Sequence, residues 1–321
     1  MKPNIFTALV AILFVGAKLN AFPIKISFLD SEIALKETTD FLTLKGCDSN
    51  SVGLFKTVVN WNNESPLGFD LEKFPKKENG FYSFQSVSNL VGALTQPLIK
   101  AAHPYQLNCF DNVVLLAGNW MQTGLQPDEL SGPFLVPVPN TNSFGSLAIE
   151  ETARDAFNTV YPSWHIEASK AVFRENRQNK RICLTAVFDS YCILPRSVTK
   201  NDLGSSLLKV LQTNWKRQRI IFPTNMEIVI CHSATLNDKS APFASSFANA
   251  THAGLLFQDH DRYVYLEKDG VSGPYVRLDF TNKKDLLPWL RSVIESTTGE
   301  SNHLFATFND REIESLDEAG H

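Results

Sequence analysis

The 321-residue chain holds no Cys-x-x-Cys pair, no His-Glu-x-x-His and no glycine-rich phosphate loop. These absences exclude the common zinc frameworks and nucleotide cradles, which depend on ligand spacing or on closely approaching backbone amides. His232, His252 and His260 fall on neighbouring predicted strands, beside Asp259 and Asp261. None of these has a recognised ligand spacing, so neither a metal nor another cofactor is expected. Basic charge is sparse too. The densest cluster, Lys216-Arg217-Gln218-Arg219, is short and reads as a solvated approach to a strand, so no nucleic-acid partner is expected. Long apolar runs are also missing, apart from Ile5–Gly16 of about a dozen residues, whereas a bilayer crossing needs roughly 20. No internal repeat breaks the chain into modules.

That single apolar run is informative. It follows Lys2 and precedes Lys18-Leu19-Asn20-Ala21, the three-part pattern of a secretory signal with Ala21 before the cut. Residues 1–21 are therefore expected to be a signal peptide, and the mature protein to be secreted or periplasmic with no membrane span. Removing Lys2 and Lys18 takes the formal charge from -4 to -6. The five cysteines, Cys47, Cys109, Cys183, Cys192 and Cys231, are an odd number. In an exported protein this leaves at least one thiol unpaired. If that thiol is Cys109, the other four allow three connectivities, and spacing does not choose among them.

Along the chain, helical signals come first. Asp30–Ala34 and Leu54–Asn60 look helical, with turns expected at Asn50–Ser51, Asn62–Asn63 and Pro75–Gly80. Apolar residues recur at helical spacing from Phe84 to Ala102, with Pro97 interrupting them. Phe110, Val113, Val114 and Ala117 share one helical face, which puts Cys109 at a helix start. Residues 124–147 read as a long loop, and Leu207–Thr213 is helical in pattern. The last third turns to short strands at 219–222, 227–232, 252–257, 263–267, 275–280 and 303–308. Gln258-Asp-His-Asp connects two of them as a hairpin. One helix interrupts the series, with Asn282 and Asp285 at its start and Leu286, Leu287, Leu290, Val293 and Ile294 as its buried stripe. Helices followed by an antiparallel sheet make an α+β protein.

A nucleophilic cysteine needs its thiolate, which the first turn of a helix favours through free N–H groups and the helix dipole. It also needs a base on a separate rigid element. Cys109 meets the first demand. His252, read as opening the strand His-Ala-Gly-Leu-Leu-Phe, meets the second. Glu267, on the next strand, is the carboxylate best placed to orient the imidazole. The Cys109 backbone amide, with Gln106 or Asn108 adding a side-chain amide, would hold an oxyanion. Each residue taken singly also fits a plainer role: a packed core thiol, a structural histidine and a surface carboxylate.

The run Thr251-His-Ala-Gly-Leu-Leu-Phe, a short turn, and Tyr263-Val-Tyr-Leu-Glu-Lys resemble the histidine strand and following strand of NlpC-type papain-like cysteine hydrolases. From about Phe84 to Ile313 the chain also resembles an exported bacterial family, domain-of-unknown-function family 4300. In that family an Asn-Cys helix start, a His-[Val/Ala]-Gly-[Val/Leu]-Leu strand and a Leu-Glu-Lys…Pro-Tyr segment recur in order. Here these are Asn108-Cys109, His252–Leu256, and Leu266-Glu267-Lys268 with Pro274-Tyr275. Two departures from the NlpC-type pattern stand out: Asn-Cys-Phe-Asp replaces the usual Asp-Cys-Ser-Gly, and Glu267 takes roughly the place of that family's second histidine. The resemblance implies one papain-like domain over 22–321, with an N-terminal extension at about 22–83 and a helical or loop insertion at about 120–218.

Two functions follow as expectations. One is an exported thiol-dependent amide hydrolase acting on small peptides or cell-wall fragments. The other is a non-catalytic exported binding or structural protein that keeps the fold.

Overall fold

A computed structural model describes residues 23–98, 107–124, 186–188, 192–236, 246–270, 273–295 and 302–317. The proposed signal peptide, Gln106, Cys183 and most of the 120–218 insertion lie outside them. Among the described residues there are six α-helices: α1 (Glu32–Leu44), α2 (Ser49–Asn63), α3 (Val87–Ala93), α4 (Cys109–Ala117), α5 (Leu203–Arg217) and α6 (Leu286–Glu295). None of them is long and apolar enough to cross a membrane.

The strands are β1 (Ile24–Ser27), β2 (Tyr82–Phe84), β3 (Cys192–Ile193), β4 (Glu227–Thr235), β5 (Phe247–Asp259), β6 (Arg262–Lys268), β7 (Tyr275–Phe280), β8 (His303–Phe308) and β9 (Glu312–Ser315). They form one nine-stranded antiparallel sheet in the order β2-β1-β7-β6-β5-β4-β8-β9, with β3 paired to β5. The fold is α+β. Strands from residues 22–83 belong to this sheet, since β1 pairs with both β2 and β7.

Apolar residues cover both faces of the sheet, so its central strands lack a simple inside–outside alternation. Ile228, Ile230, Leu255, Phe257, Val264 and Leu266 pack with residues of α1, α2, α4 and α5. Val229, Leu256, Tyr265, Val276 and Leu278 pack with α3 and α6.

The β4–β5 pairing contains a bulge. Cys231 pairs with His252 and His232 with Ala250, so Thr251 is the extra residue, and its Oγ1 donates to the Cys231 carbonyl at 3.3 Å. Before the bulge, Ala248 and Ala250 face the α4 side. After it, Ala253, Leu255 and Phe257 do. An extra residue changes which side chains point to a given face, and here it sets the direction of His252.

Several boundaries differ from the sequence reading. His252 sits inside β5 rather than opening it, because the Ala248–Thr251 stretch of Ala, Asn, Ala and Thr carries little apolar signal. Asn50 and Ser51 are not a turn. Asp48 caps α2 by accepting from the Ser51 N–H at 3.0 Å, and the helix runs on to Asn63. Helix α1 continues ten residues past Ala34, through Thr38, Thr39 and Thr43, whose hydroxyls bond back to preceding carbonyls. Residues 219–222 contribute only an isolated bridge, Gln122 to Ile221, rather than a strand. Helix α3 stops at Ala93, well short of Ala102.

Candidate active site

Asn108 makes α4 begin at Cys109. Its Oδ1 accepts from the Asp111 N–H at 2.8 Å, and the Asp111 carboxylate accepts from the Asn108 N–H at 3.5 Å. This reciprocal capping box fixes the entry angle of the chain and puts the thiol in the first helical turn. Cys109 is 4% exposed.

Strands β5 and β6 supply the next two groups. Their register pairs Gly254 with Glu267, so Glu267 lies diagonally from His252 across the hairpin. A diagonal neighbour is within reach of a long side chain. Accordingly, His252 Nε2 lies 2.7 Å from Glu267 Oε2, with both residues buried. That contact engages Nε2, and the Cys109 thiol interacts with the same imidazole. Burial opposes a charge on the ring. Glu267 foremost, with Cys109, outweighs it and raises His252 well above the ordinary histidine range.

The structure thus brings together Cys109, His252 and Glu267. Asn108 adjoins them as the helix cap, with its Oδ1 committed to Asp111. Gln106 lies outside the described residues.

Other residues of the cluster carried no readable sequence signal. The Trp289 indole of α6 donates to Glu267 Oε1 at 2.9 Å, so both carboxylate oxygens are engaged. Cys231, the register partner of His252, is fully buried. Burial first, then the charges of Glu267 and Cys109, push its thiol well above the usual range. Asp269, two residues beyond Glu267, is pushed up to about 7 by burial and then by the Glu267 charge. The contact series Trp289–Glu267–His252–Cys109 links the two helical layers on either side of the sheet.

Lys268, in the Leu-Glu-Lys segment, serves the backbone. Its Nζ donates to the Gly270 carbonyl at 3.0 Å and to that of Gly273, bracing the β6–β7 turn, and lies over the Tyr275 ring. Asp259 likewise serves its hairpin, pairing with Lys45 and Arg262 at 2.9 Å each. The two-residue turn that follows carries His260 at φ 57°. Among the described residues, no group of three His, Cys, Asp or Glu side chains is placed to hold a metal ion. Cys47, Cys109 and Cys231 are free thiols.

Residues 183–312 match the family model described as domain of unknown function DUF4300. The match holds His252 and Glu267 and begins after Cys109. No curated protein and no solved structure matches the chain.

Proposed function

We propose that the chain is a thiol-dependent amide hydrolase of papain-like, NlpC-type design, acting after export on peptides or cell-wall fragments. The observation that carries this reading is the buried His252 ring, held by Glu267 at 2.7 Å and interacting with the Cys109 thiol at a helix start. The substrate class follows from analogy with NlpC-type hydrolases and from the expected location.

In this mechanism His252 takes the Cys109 proton and Glu267 steadies the resulting imidazolium. The sulfur attacks the amide carbonyl carbon, and negative charge develops on its oxygen. The Cys109 backbone N–H, in the first turn of α4, is the natural donor to that oxygen. The Asn108 and Gln106 amide groups are the proposed second donors. For Asn108 only the –NH₂ is suitable, because Oδ1 caps the helix. His252 then protonates the leaving amine, and a water activated by the same ring hydrolyses the thioester.

The pH dependence of Cys109 alkylation tests this pairing. A thiolate–imidazolium pair keeps reacting at a pH well below the ordinary thiol value of about 8.5, and His252→Gln removes that low-pH reactivity. A Cys109 profile with its midpoint near 8.5 in the wild type would sink the mechanism.

Burial favours a second reading, as a binding protein without turnover. Cys109 keeps 4% and His252 3% of their surface exposed. In that case cell-wall fragments bind with equal affinity to wild type and to Cys109→Ala, and the wild type leaves them uncleaved.

A further inference from the structure

Helix α4 carries a buried amide that the mechanism above does not use. Asn112 is 0% exposed, and among the described residues neither its Oδ1 nor its Nδ2 has a hydrogen-bond partner. An asparagine side chain offers two donors and a two-lone-pair acceptor, and burying them unpaired costs stability. The adjoining helix positions Val113, Leu115 and Leu116 are buried and apolar, so leucine would suit this position better for packing. Asp111, the buried polar residue beside it, is held in the helix cap, whereas the Asn112 amide is left this way and calls for a partner.

Its position indicates where that partner comes from. Asn112 lies three residues after Cys109, and side chains at this spacing are neighbours on a helix, about 5–6 Å apart at Cβ. Helical side chains also tilt toward the N-terminus, which here is the thiol end. The unpaired amide is therefore a helical neighbour of the thiol, one turn along α4.

We propose that Asn112 is a substrate-binding residue of the thiol site that reads an amide on the acyl side of the scissile bond. Its Nδ2 donates to a carbonyl and its Oδ1 accepts from an N–H, as offered together by one residue of a peptide or by a primary carboxamide. A carboxylate or an ester offers acceptors only and leaves Oδ1 unpaired. The site therefore selects peptide-like acyl groups. This assignment rests on the thiol-hydrolase reading and deepens it.

The test uses the full chain and two thiol reagents that differ in this feature. Iodoacetamide carries a primary carboxamide; methyl methanethiosulfonate carries no amide. Rates at Cys109 are followed by mass spectrometry of its peptide in wild type, Asn112→Leu and Asn112→Ala. The expected result is about a tenfold slower reaction of Cys109 with iodoacetamide in both variants. The thiosulfonate rate stays within about twofold of wild type, and the melting temperature of Asn112→Leu is equal or higher. Equal slowing with both reagents, no change with either, or a lowered melting temperature with unchanged selectivity would overturn the proposal. The last pattern is that of an amide holding a structural water. Failure of the hydrolase reading itself shows separately, as an ordinary thiol pH profile in the wild type with the thiosulfonate.

Discussion

The Trp289 indole N–H donates to Glu267 Oε1 at 2.9 Å, while Glu267 Oε2 lies 2.7 Å from His252 Nε2. The indole thus fixes the carboxylate that orients the imidazole. Trp289→Phe keeps an aromatic ring in the core but removes the donor, leaving a buried carboxylate oxygen unpaired. The expected destabilisation is about 1–3 kcal/mol. With Glu267 less constrained, the pH profile of Cys109 alkylation should shift as well. If melting temperature falls but the alkylation profile superimposes on that of wild type, Trp289 only packs.

Thiol reactivity should be selective. Burial raises Cys47 to about 12, and burial with the charges of Glu267 and Cys109 raises Cys231 well above its usual value. Both remain protonated at neutral pH, and the thiolate is the reactive species. In the native protein at pH 7.5, peptide mapping after brief iodoacetamide treatment should show Cys109 labelled about tenfold faster than Cys47 or Cys231. Unfolding in urea should abolish the difference. Cys231 labelling as fast as Cys109 in the native state contradicts the burial and charge placement described above.

His252 and His232 have opposite pH linkages. Glu267 and Cys109 hold His252 above its unfolded value. Its stabilising contribution is complete below about pH 6.5 and is lost as pH rises through the folded value. His232 is buried, with Nε2 at 3.1 Å from Thr307 Oγ1, and burial lowers it to about 3. Between about pH 6.5 and 3 the unfolded chain therefore binds a proton that the native His232 does not. Stability falls with acidification across that window, by at most about 1.4 kcal/mol per pH unit. His232→Phe should flatten this limb in urea unfolding midpoints measured from pH 7 to 4. An unchanged slope would mean that His232 takes up its proton in the folded state.

The parts of the fold that were legible in the sequence are those with strong local signals. Strands β7 and β8 carry dense β-branched and aromatic runs and fall at 275–280 and 303–308, as expected. The Cys109 helix start was legible from the apolar face that follows it. The start of β5 was not, because Ala248 and Ala250 have side chains too small to mark a buried strand. The bulge at Thr251 lies in that same quiet stretch, and it is what turns His252. Glu267 was legible as a hairpin neighbour, since β5 and β6 are joined by a tight turn. Trp289 was not, since its bond to Glu267 depends on how α6 docks on the sheet. Neither was the solitude of Asn112, which is a property of its surroundings.

Gly254 shows how closely the core is built around this hairpin. A Cβ at that position would lie 2.3 Å from Tyr265 Oη and 2.4 Å from Cζ, so the phenol occupies the space that glycine leaves. Tyr265 precedes Glu267 by two residues on the same face of β6, and Gly254 is the register partner of Glu267. Gly254→Ala should therefore displace the phenol and disturb the carboxylate next to it. The expected cost is about 1–3 kcal/mol, in the range of other overpacked cores. Tyr265→Leu removes the obstructing atoms, so the double variant should lose less stability than the two single variants together. A double-mutant cycle from urea unfolding measures that coupling, expected at 0.5 kcal/mol or roughly more for residues in contact. Additive losses would show that the backbone, not the Tyr265 ring, resists a side chain at position 254.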